Sequence, residues 1–376
     1  MSDNILLTDA LAEAERLMTV CNSCRYCEGL CAVFPAMEMR RVFAEGDLNL
    51  LANLCHSCGA CYDDCQFAPP HEFSVNVPQV LAEVRHESWQ TYAWPRGAGR
   101  LFERNGLVVS LTCALAMAGF MIAFAAFSDP RVLFGAHEGP GAFYRLMPHN
   151  LMALVFGGAF AFAVVALAMG VRAFWRDANR SNPLPLDPKA LWQAMRDAGS
   201  LRYLDGGGVG CVNEDEVPKD GRRVFHHMTF YGFLLCFAAT TTATLYHYLL
   251  GREAPYPWYD LPVVLGTVGG IGIVVGPAGL LAARRRRRAE LKVGKHSGMD
   301  LAFSAMLLLT GISGLALLAL RATPAMGVLL ALHLGVVFAL FLTMPYGRFV
   351  HGIYRFTALV RYALERRAEV EGAPAA

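Results

Sequence analysis

The sequence predicts an all-α membrane protein in which a cysteine-rich helical domain precedes a bundle of six transmembrane helices. Hydrophobic residues make up 55% of the 376 positions and charged residues 17%, whereas soluble proteins average about 45–50% and about 25%. Eight of the eleven cysteines lie between Cys21 and Cys65. The net charge of +2 gives no sign of a nucleic-acid partner.

The first domain is expected to span residues 1–95 and to lie in the cytosol. Met1 to Val20 lacks the basic and then apolar layout of a signal peptide. Disulfide frameworks belong to secreted proteins, so the clustered cysteines are interpreted as metal ligands.

Two cysteine motifs share the spacing C-x2-C-x2-C-x3-C. In bacterial ferredoxins this spacing supplies three thiolates to one [4Fe–4S] cluster, and the fourth cysteine binds the other cluster. The first cluster is therefore predicted on Cys21, Cys24, Cys27 and Cys65. The second cluster is predicted on Cys55, Cys58, Cys61 and Cys31.

The alternative for these cysteines is a pair of zinc sites. Zinc ribbons need two C-x2-C pairs and would leave cysteines without a metal. Ala32 and Gln66 follow the motifs where bacterial ferredoxins have proline. The segment between the motifs predicts a helix over 38–53, and therefore a helical ferredoxin domain such as flavoprotein-linked dehydrogenases use.

The second domain, residues 96–356, contains six apolar runs, and a bilayer-spanning helix needs about 20 such residues. Lys and Arg are concentrated in the loop 172–225, the 284–299 link and the tail 357–376. Because basic loops stay in the cytoplasm, both termini are predicted inside the bacterial inner membrane. The run Arg284–Arg288 could instead be a lipid or nucleic-acid patch. The apolar runs are 107–127, 150–171, 227–250, 260–283, 300–320 and 326–350.

Four histidines near the ends of spans three and six predict two b-type haems in a cytochrome b-like bundle. An ionisable side chain in a membrane span indicates a functional site, and bis-histidine ligation between facing helices holds haem. Helical phase along span six puts His333 and His351 on one face, and the phase of span three prefers His226 over His227. The inner haem is predicted on His226 (or His227) and His351, and the outer haem on His247 and His333.

Other residues keep more than one interpretation. A lone membrane histidine is more often a hydrogen-bonding or proton-relay residue, and His149 and His296 remain candidates for the interface or a quinone site. Arg348 and Arg355 could meet haem propionates or reach the membrane surface as interfacial arginines. Glycines in spans four and five allow close packing or space for a macrocycle. Three cysteines match no cluster spacing: Cys113, Cys211 and Cys236.

The cysteine motifs and three histidine segments together resemble the tricarballylate/citrate utilization protein B family over nearly the whole chain. The His333 and His351 element is also similar to the haem subunit of respiratory nitrate reductase and to heterodisulfide-reductase-type cytochromes. The whole module is similar to part of a flavohaem fusion used in cobalamin ring contraction. The segments are Phe225-His226-His227-Met228-Thr229-Phe230-Tyr231-Gly232-Phe233, Tyr246-His247-Tyr248 and Pro345-Tyr346-Gly347-Arg348-Phe349-Val350-His351-Gly352.

The resemblance implies a protein that reoxidises the reduced FAD of a partner, the FAD-dependent tricarballylate dehydrogenase (protein A). Electrons would pass through two [4Fe–4S] clusters and two b haems to quinone. Protein A would dock near Cys24, Arg25 and Tyr26 or on the loop 181–225. No dinucleotide fingerprint or Ser/His/Asp arrangement predicts a substrate-oxidising site in this chain. The alternatives are a quinol-oxidising subunit that feeds another cytosolic flavoenzyme, and a redox-sensing or transport protein embedded in membrane lipid.

Overall fold

The computed structural model describes residues 8–204, 206, 221–291 and 297–372. All regular elements within these ranges are helices, which confirms the predicted all-α fold. Cys211, His296 and part of the loop 181–225 lie outside the described residues. The α-helices are α1 (Asp9–Cys24), α2 (Val33–Glu38), α3 (Glu45–Leu54), α4 (Ala60–Asp63), α5 (Val77–Tyr92), α6 (Asn105–Phe127), α7 (Pro130–Leu133), α8 (His149–Ala178), α9 (Pro188–Gly199), α10 (Gly221–Leu250), α11 (Leu261–Arg285), α12 (Ser297–Leu320), α13 (Met326–Thr343) and α14 (Val350–Val370).

The N-terminal helices form a small core of their own. The side chain of Thr8 caps α1 by accepting a hydrogen bond of 3.3 Å from the Leu11 N–H. Leu17 of α1, Leu51 of α3 and Leu81 of α5 are buried where the three helices pack together. The expected continuous helix over 38–53 is replaced by α2 and α3, with a turn between them.

Six helices are long and apolar enough to cross a membrane, which indicates a membrane protein. They are α6, α8, α10, α11, α12 and α13, the last with the turn that follows it. Their bounds reproduce the predicted apolar runs closely for the first five. α10 and α11 pack backbone to backbone. A Cβ on Gly269 of α11 would lie only 2.8 Å from the Cys236 backbone N of α10. At this position the glycine serves close helix packing.

The sixth span is interrupted, contrary to the continuous helix expected over 326–350. α13 ends at Thr343, a 3-10 turn covers Met344–Tyr346, and α14 begins at Val350. Pro345 lies in this turn, where its missing N–H and its ring oppose a continuous helix. The phase argument that placed His333 and His351 on one helical face therefore does not apply.

The C-terminal helix α14 belongs to the core of the N-terminal half. Its residues Thr357–Glu365 are buried, and it packs against α3, α8 and α9. Buried Arg40 pairs with Asp47 at 2.7 Å and with Glu365 at 2.6 Å. The segment 357–376 was expected to be a tail. Its described part instead forms most of α14, which is docked on the protein.

The basic loop 172–225 also contains ordered structure. α8 continues to Ala178, and α9 follows after a short connection. Asp187 caps α9 by accepting a hydrogen bond of 3.0 Å from the Lys189 N–H, and Pro188 occupies the first helical position. Tyr203, just after α9, reaches the cysteine-rich domain.

Candidate cofactor sites

The first group of four thiols lies where α1 ends. Cys21 and Cys24 occupy its last turn, and Arg25 then adopts a left-handed conformation with φ 56° that reverses the chain. Burial, together with the neighbouring Cys27, Cys65 and Cys24 thiols, raises the pKa of the Cys21 thiol to about 12. The four residues predicted to share a cluster are therefore close enough to repel one another as thiolates.

The second group of four thiols surrounds a single cavity. The chain enters it at the end of α3 and turns through Ser57 (φ 50°) and Gly59 (φ 98°). Burial raises the pKa of the Cys31 thiol, and the Cys58 and Cys55 thiols raise it further. Four cysteines line the cavity together with His56, Pro78 and Tyr203: Cys31, Cys55, Cys58 and Cys61.

In each group, the fourth cysteine comes from the other motif. Cys65 neighbours the thiols of the first motif, and Cys31 neighbours those of the second. The two groups are also adjacent, since the Cys27 thiol contributes to the raised pKa of Cys61 after burial and the nearer thiols.

The donor set fits a multi-iron cluster. Among the described residues, no three His, Cys, Asp or Glu side chains converge on one point as a single metal ion requires. A cubane core is larger than one ion and holds its four thiolates farther apart. Its iron atoms would also neutralise four thiolates that repel one another strongly.

The inner histidine pair comes together between α10 and α14. The ring centroids of His226 and His351 are 6.0 Å apart, with an interplanar angle of 79°. Metal–imidazole bonds of about 2 Å would place two axial rings with centroids about 6 Å apart. His227 contacts Tyr231 instead, at 5.8 Å between centroids, so His226 is the residue next to His351.

The hydrogen bonds of this pair suit metal binding. The Nδ1 atom of His351 lies 2.5 Å from the carbonyl oxygen of Arg348, which leaves Nε2 available to a metal. The buried Nδ1 atom of His226 has no hydrogen-bond partner in the described part of the chain. His226 and His351 are therefore the residues that would hold a haem at this position.

The outer histidines are arranged differently from the expectation. The ring of His247 stacks on that of His149, with centroids 3.5 Å apart and an angle of 18°. The Nδ1 atom of His333 instead lies 3.0 Å from the hydroxyl oxygen of Ser313. The structure does not bring His247 and His333 into ring contact, and 3.5 Å leaves no room for a metal between His149 and His247.

His149 is the residue whose partner the sequence analysis missed. It begins α8, and His247 lies near the end of α10. Because α8 and α10 cross the membrane in opposite directions, these two ends lie at the same level. The order of the spans in the sequence already implies this. Both residues have a buried Nδ1 atom without a hydrogen-bond partner among the described residues.

His56 lies between the second cysteine cavity and the inner histidine pair. It lines the cavity, and burial lowers its pKa well below the usual value, with Arg355, Arg222 and His226 as charged neighbours. The cavity and the His226–His351 pair are therefore neighbouring sites.

Two family models match separate parts of the chain. Residues 14–91 match the family model described as citrate utilization protein B Fer4-like domain, and residues 100–372 match that described as citrate utilization protein B. The Fer4-like description supports iron–sulfur binding by the cysteines. The chain is 50% identical to citrate utilization protein B of Escherichia coli over 366 residues, covering 96% of this chain and 94% of that protein. No solved structure matches the chain. The chain therefore belongs to the citrate utilization protein B family.

Proposed function

We propose that the chain transfers electrons from a reduced cytosolic flavoprotein to quinone in the membrane, through two [4Fe–4S] clusters and b-type haem. The observation that carries this proposal is the adjacency of the second cysteine cavity, His56 and the His226–His351 pair. Together they form a connected series of redox ligands between the N-terminal domain and the membrane helices.

The exposure of one residue in each motif supports the direction of transfer. Tyr26, inside the first motif, is 73% exposed, whereas Cys55, which opens the second, is 7% exposed. A partner can therefore approach the first group from solvent. The second group lies farther in, against the membrane half.

Citrate or tricarballylate utilization is the metabolic setting that the family description favours. We assign the electron donor to an FAD-dependent tricarballylate dehydrogenase, which docks near Cys24, Arg25 and Tyr26. Its reduced flavin gives up two electrons and two protons, and two electrons with two protons convert one quinone to quinol. The clusters and haem supply the single-electron steps that connect these two-electron reactions.

The orientation in the membrane follows from charge. The cysteine domain, α9 and the Arg284–Arg288 run are placed on the cytosolic side, because basic segments stay inside. The outer haem predicted on His247 and His333 stays a prediction, since these two side chains are not in contact, and no step is assigned to it.

The proposal is tested by the cofactor content of the purified full chain in detergent. Iron and acid-labile sulfide for two [4Fe–4S] clusters are expected, together with a b-type α band after reduction with dithionite. A preparation reconstituted with iron, sulfide and haem that shows neither the clusters nor the α band would contradict it.

A further inference from the structure

Four arginines from separate parts of the chain converge on the backbone of the Cys55–Ser57 segment. They come from α5, from α10, from the turn after α11 and from α14. We call them the arginine cage: Arg85, Arg222, Arg287 and Arg355.

Each guanidinium of the cage donates to a carbonyl of this segment. Nη1 of Arg85 and Nη2 of Arg355 each donate to the Cys55 carbonyl at 2.5 Å. Nη2 of Arg287 donates to the Ser57 carbonyl at 2.8 Å. Nη2 of Arg222 donates to the carbonyl of His56, the residue between them, at 3.1 Å. The segment that opens the second cysteine motif is therefore enclosed by positive charge.

Arg85 is buried, the other three cage residues are partly buried, and the four charges lie close together. Burial, together with the nearby Arg222 and Arg85, lowers the pKa of Arg287 to about 10. The nearby carboxylate of Asp300 already pairs with Arg284 at 3.2 Å and with Arg348 at 3.1 Å. In the described part of the chain, no carboxylate lies within ion-pair distance of Arg85, Arg287 or Arg355. Buried charges that repel one another are costly without a counter-ion.

The cysteine cavity offers the matching anion. Cys55 belongs both to the enclosed segment and to the cavity with Cys31, Cys58 and Cys61. Four thiolates around a [4Fe–4S] core carry a net negative charge, and each added electron increases it. Nearby cations therefore favour the reduced form and raise the potential.

The first cysteine group has a different electrostatic setting. Glu28 follows Cys27 and Asp64 precedes Cys65, whereas Arg25 follows Cys24. A neighbouring carboxylate disfavours an added electron, and the exposed turn around Tyr26 admits water. The charged residues of the first motif region are therefore of both signs, whereas the four residues of the cage are all positive.

We propose that the arginine cage gives the site of Cys31, Cys55, Cys58 and Cys61 the higher reduction potential of the two cysteine sites, and so sets the inward direction of electron transfer. This inference rests on the proposed function. Arg222 and Arg355 lie one helical turn from His226 and His351 respectively, on the same helix faces. The cage thereby places its charge at the junction of the two sites.

The test is a redox titration of both clusters in the full-length protein, followed by electron paramagnetic resonance. Arg287→Gln removes one charge of the cage, Arg287→Lys keeps it, and Arg285→Gln removes a charge from an exposed position in the same basic run. Cys24→Ala and Cys58→Ala assign the two signals.

Arg287→Gln is expected to lower the midpoint potential of the second cluster and to change that of the first much less. Arg287→Lys and Arg285→Gln should leave both near the wild-type values. Loss of the second cluster in Arg287→Gln but not in Arg287→Lys would also support the cage, since only the Lys variant keeps the positive charge.

An unchanged second potential in Arg287→Gln, or an equal shift of both clusters, would overturn the inference. Loss of the second cluster in both Arg287 variants would overturn it too, because geometry and not charge would then be essential. A wild-type protein without clusters would instead refute the proposed function, so the two failures are distinguishable.

Discussion

The imidazole rings of His226 and His351 lie 6.0 Å apart, centroid to centroid, although one belongs to α10 and the other to α14. The chain reaches this arrangement through the break at Pro345, which lets α14 leave the line of α13. His351 thereby sits at the junction between the membrane helices and the cysteine-rich domain, one turn from Arg355 and its contact with Cys55.

Replacement of the inner histidine should remove a haem. His226→Ala is expected to lose one b haem per chain, because one axial ligand disappears. His227→Ala is the matched control and should keep its haem, since the His227 ring contacts Tyr231 and not His351. Haem per chain is measured by the pyridine haemochrome assay. Equal haem content in the two variants would contradict the assignment.

Replacement of the outer histidines tests whether His247, as the sequence predicts, or His149, which stacks on it, is a haem ligand. If His247 and His333 hold a haem, His247→Ala and His333→Ala should each lose it while His149→Ala keeps it. The α band at low temperature resolves the remaining haem. Loss of the same haem in His149→Ala and His333→Ala, but not in His247→Ala, would reassign the ligand to His149.

Cluster ligation should follow the crosswise grouping of the thiols. Cys31→Ala and Cys58→Ala are expected to abolish the same paramagnetic signal, because their thiols line one cavity. Cys65→Ala should abolish the other signal, and Cys113→Ala, outside both motifs, should keep both. If Cys31→Ala instead removed the signal that depends on Cys24, each motif would hold its own cluster.

The buried ion pair of Arg40 should stabilise the docking of α14. Glu365→Ala leaves the buried Arg40 and Arg361 guanidiniums with one partner fewer, a loss that costs about 3–5 kcal/mol in comparable pairs. Glu371→Ala removes a carboxylate that is 65% exposed, and such pairs contribute about 0–1 kcal/mol. Thermal unfolding in detergent should therefore show a large drop in Tm for the first variant only. Similar Tm values for both would refute a structural role of the Arg40 network.

The cysteine groups and the spans were accessible from sequence because their signals are local. The spacing within each motif fixes three thiols on one turn, and the structure gathers Cys65 and Cys31 with the opposite motifs as the ferredoxin rule states. Apolar runs of sufficient length likewise identify membrane helices without knowledge of their packing.

The histidine partners depend on packing that local patterns do not encode. Pro277 lies inside the unbroken α11, whereas Pro345 coincides with a helix break, so proline alone does not tell the two cases apart. The stacking of His149 on His247 requires the register of α8 against α10. The arginine cage requires four distant segments to meet, and only the folded chain brings them together.

The most direct measurement is the reduction of the haem by the proposed flavoprotein partner. FAD-dependent tricarballylate dehydrogenase, reduced by its substrate, is mixed with the full-length protein in nanodiscs that contain quinone, and the α band is followed by stopped flow. The account predicts rapid haem reduction and quinol formation in the wild type, with loss of both in Cys58→Ala. No haem reduction in the wild type, or equally fast reduction in Cys58→Ala, would contradict a route through the cysteine sites.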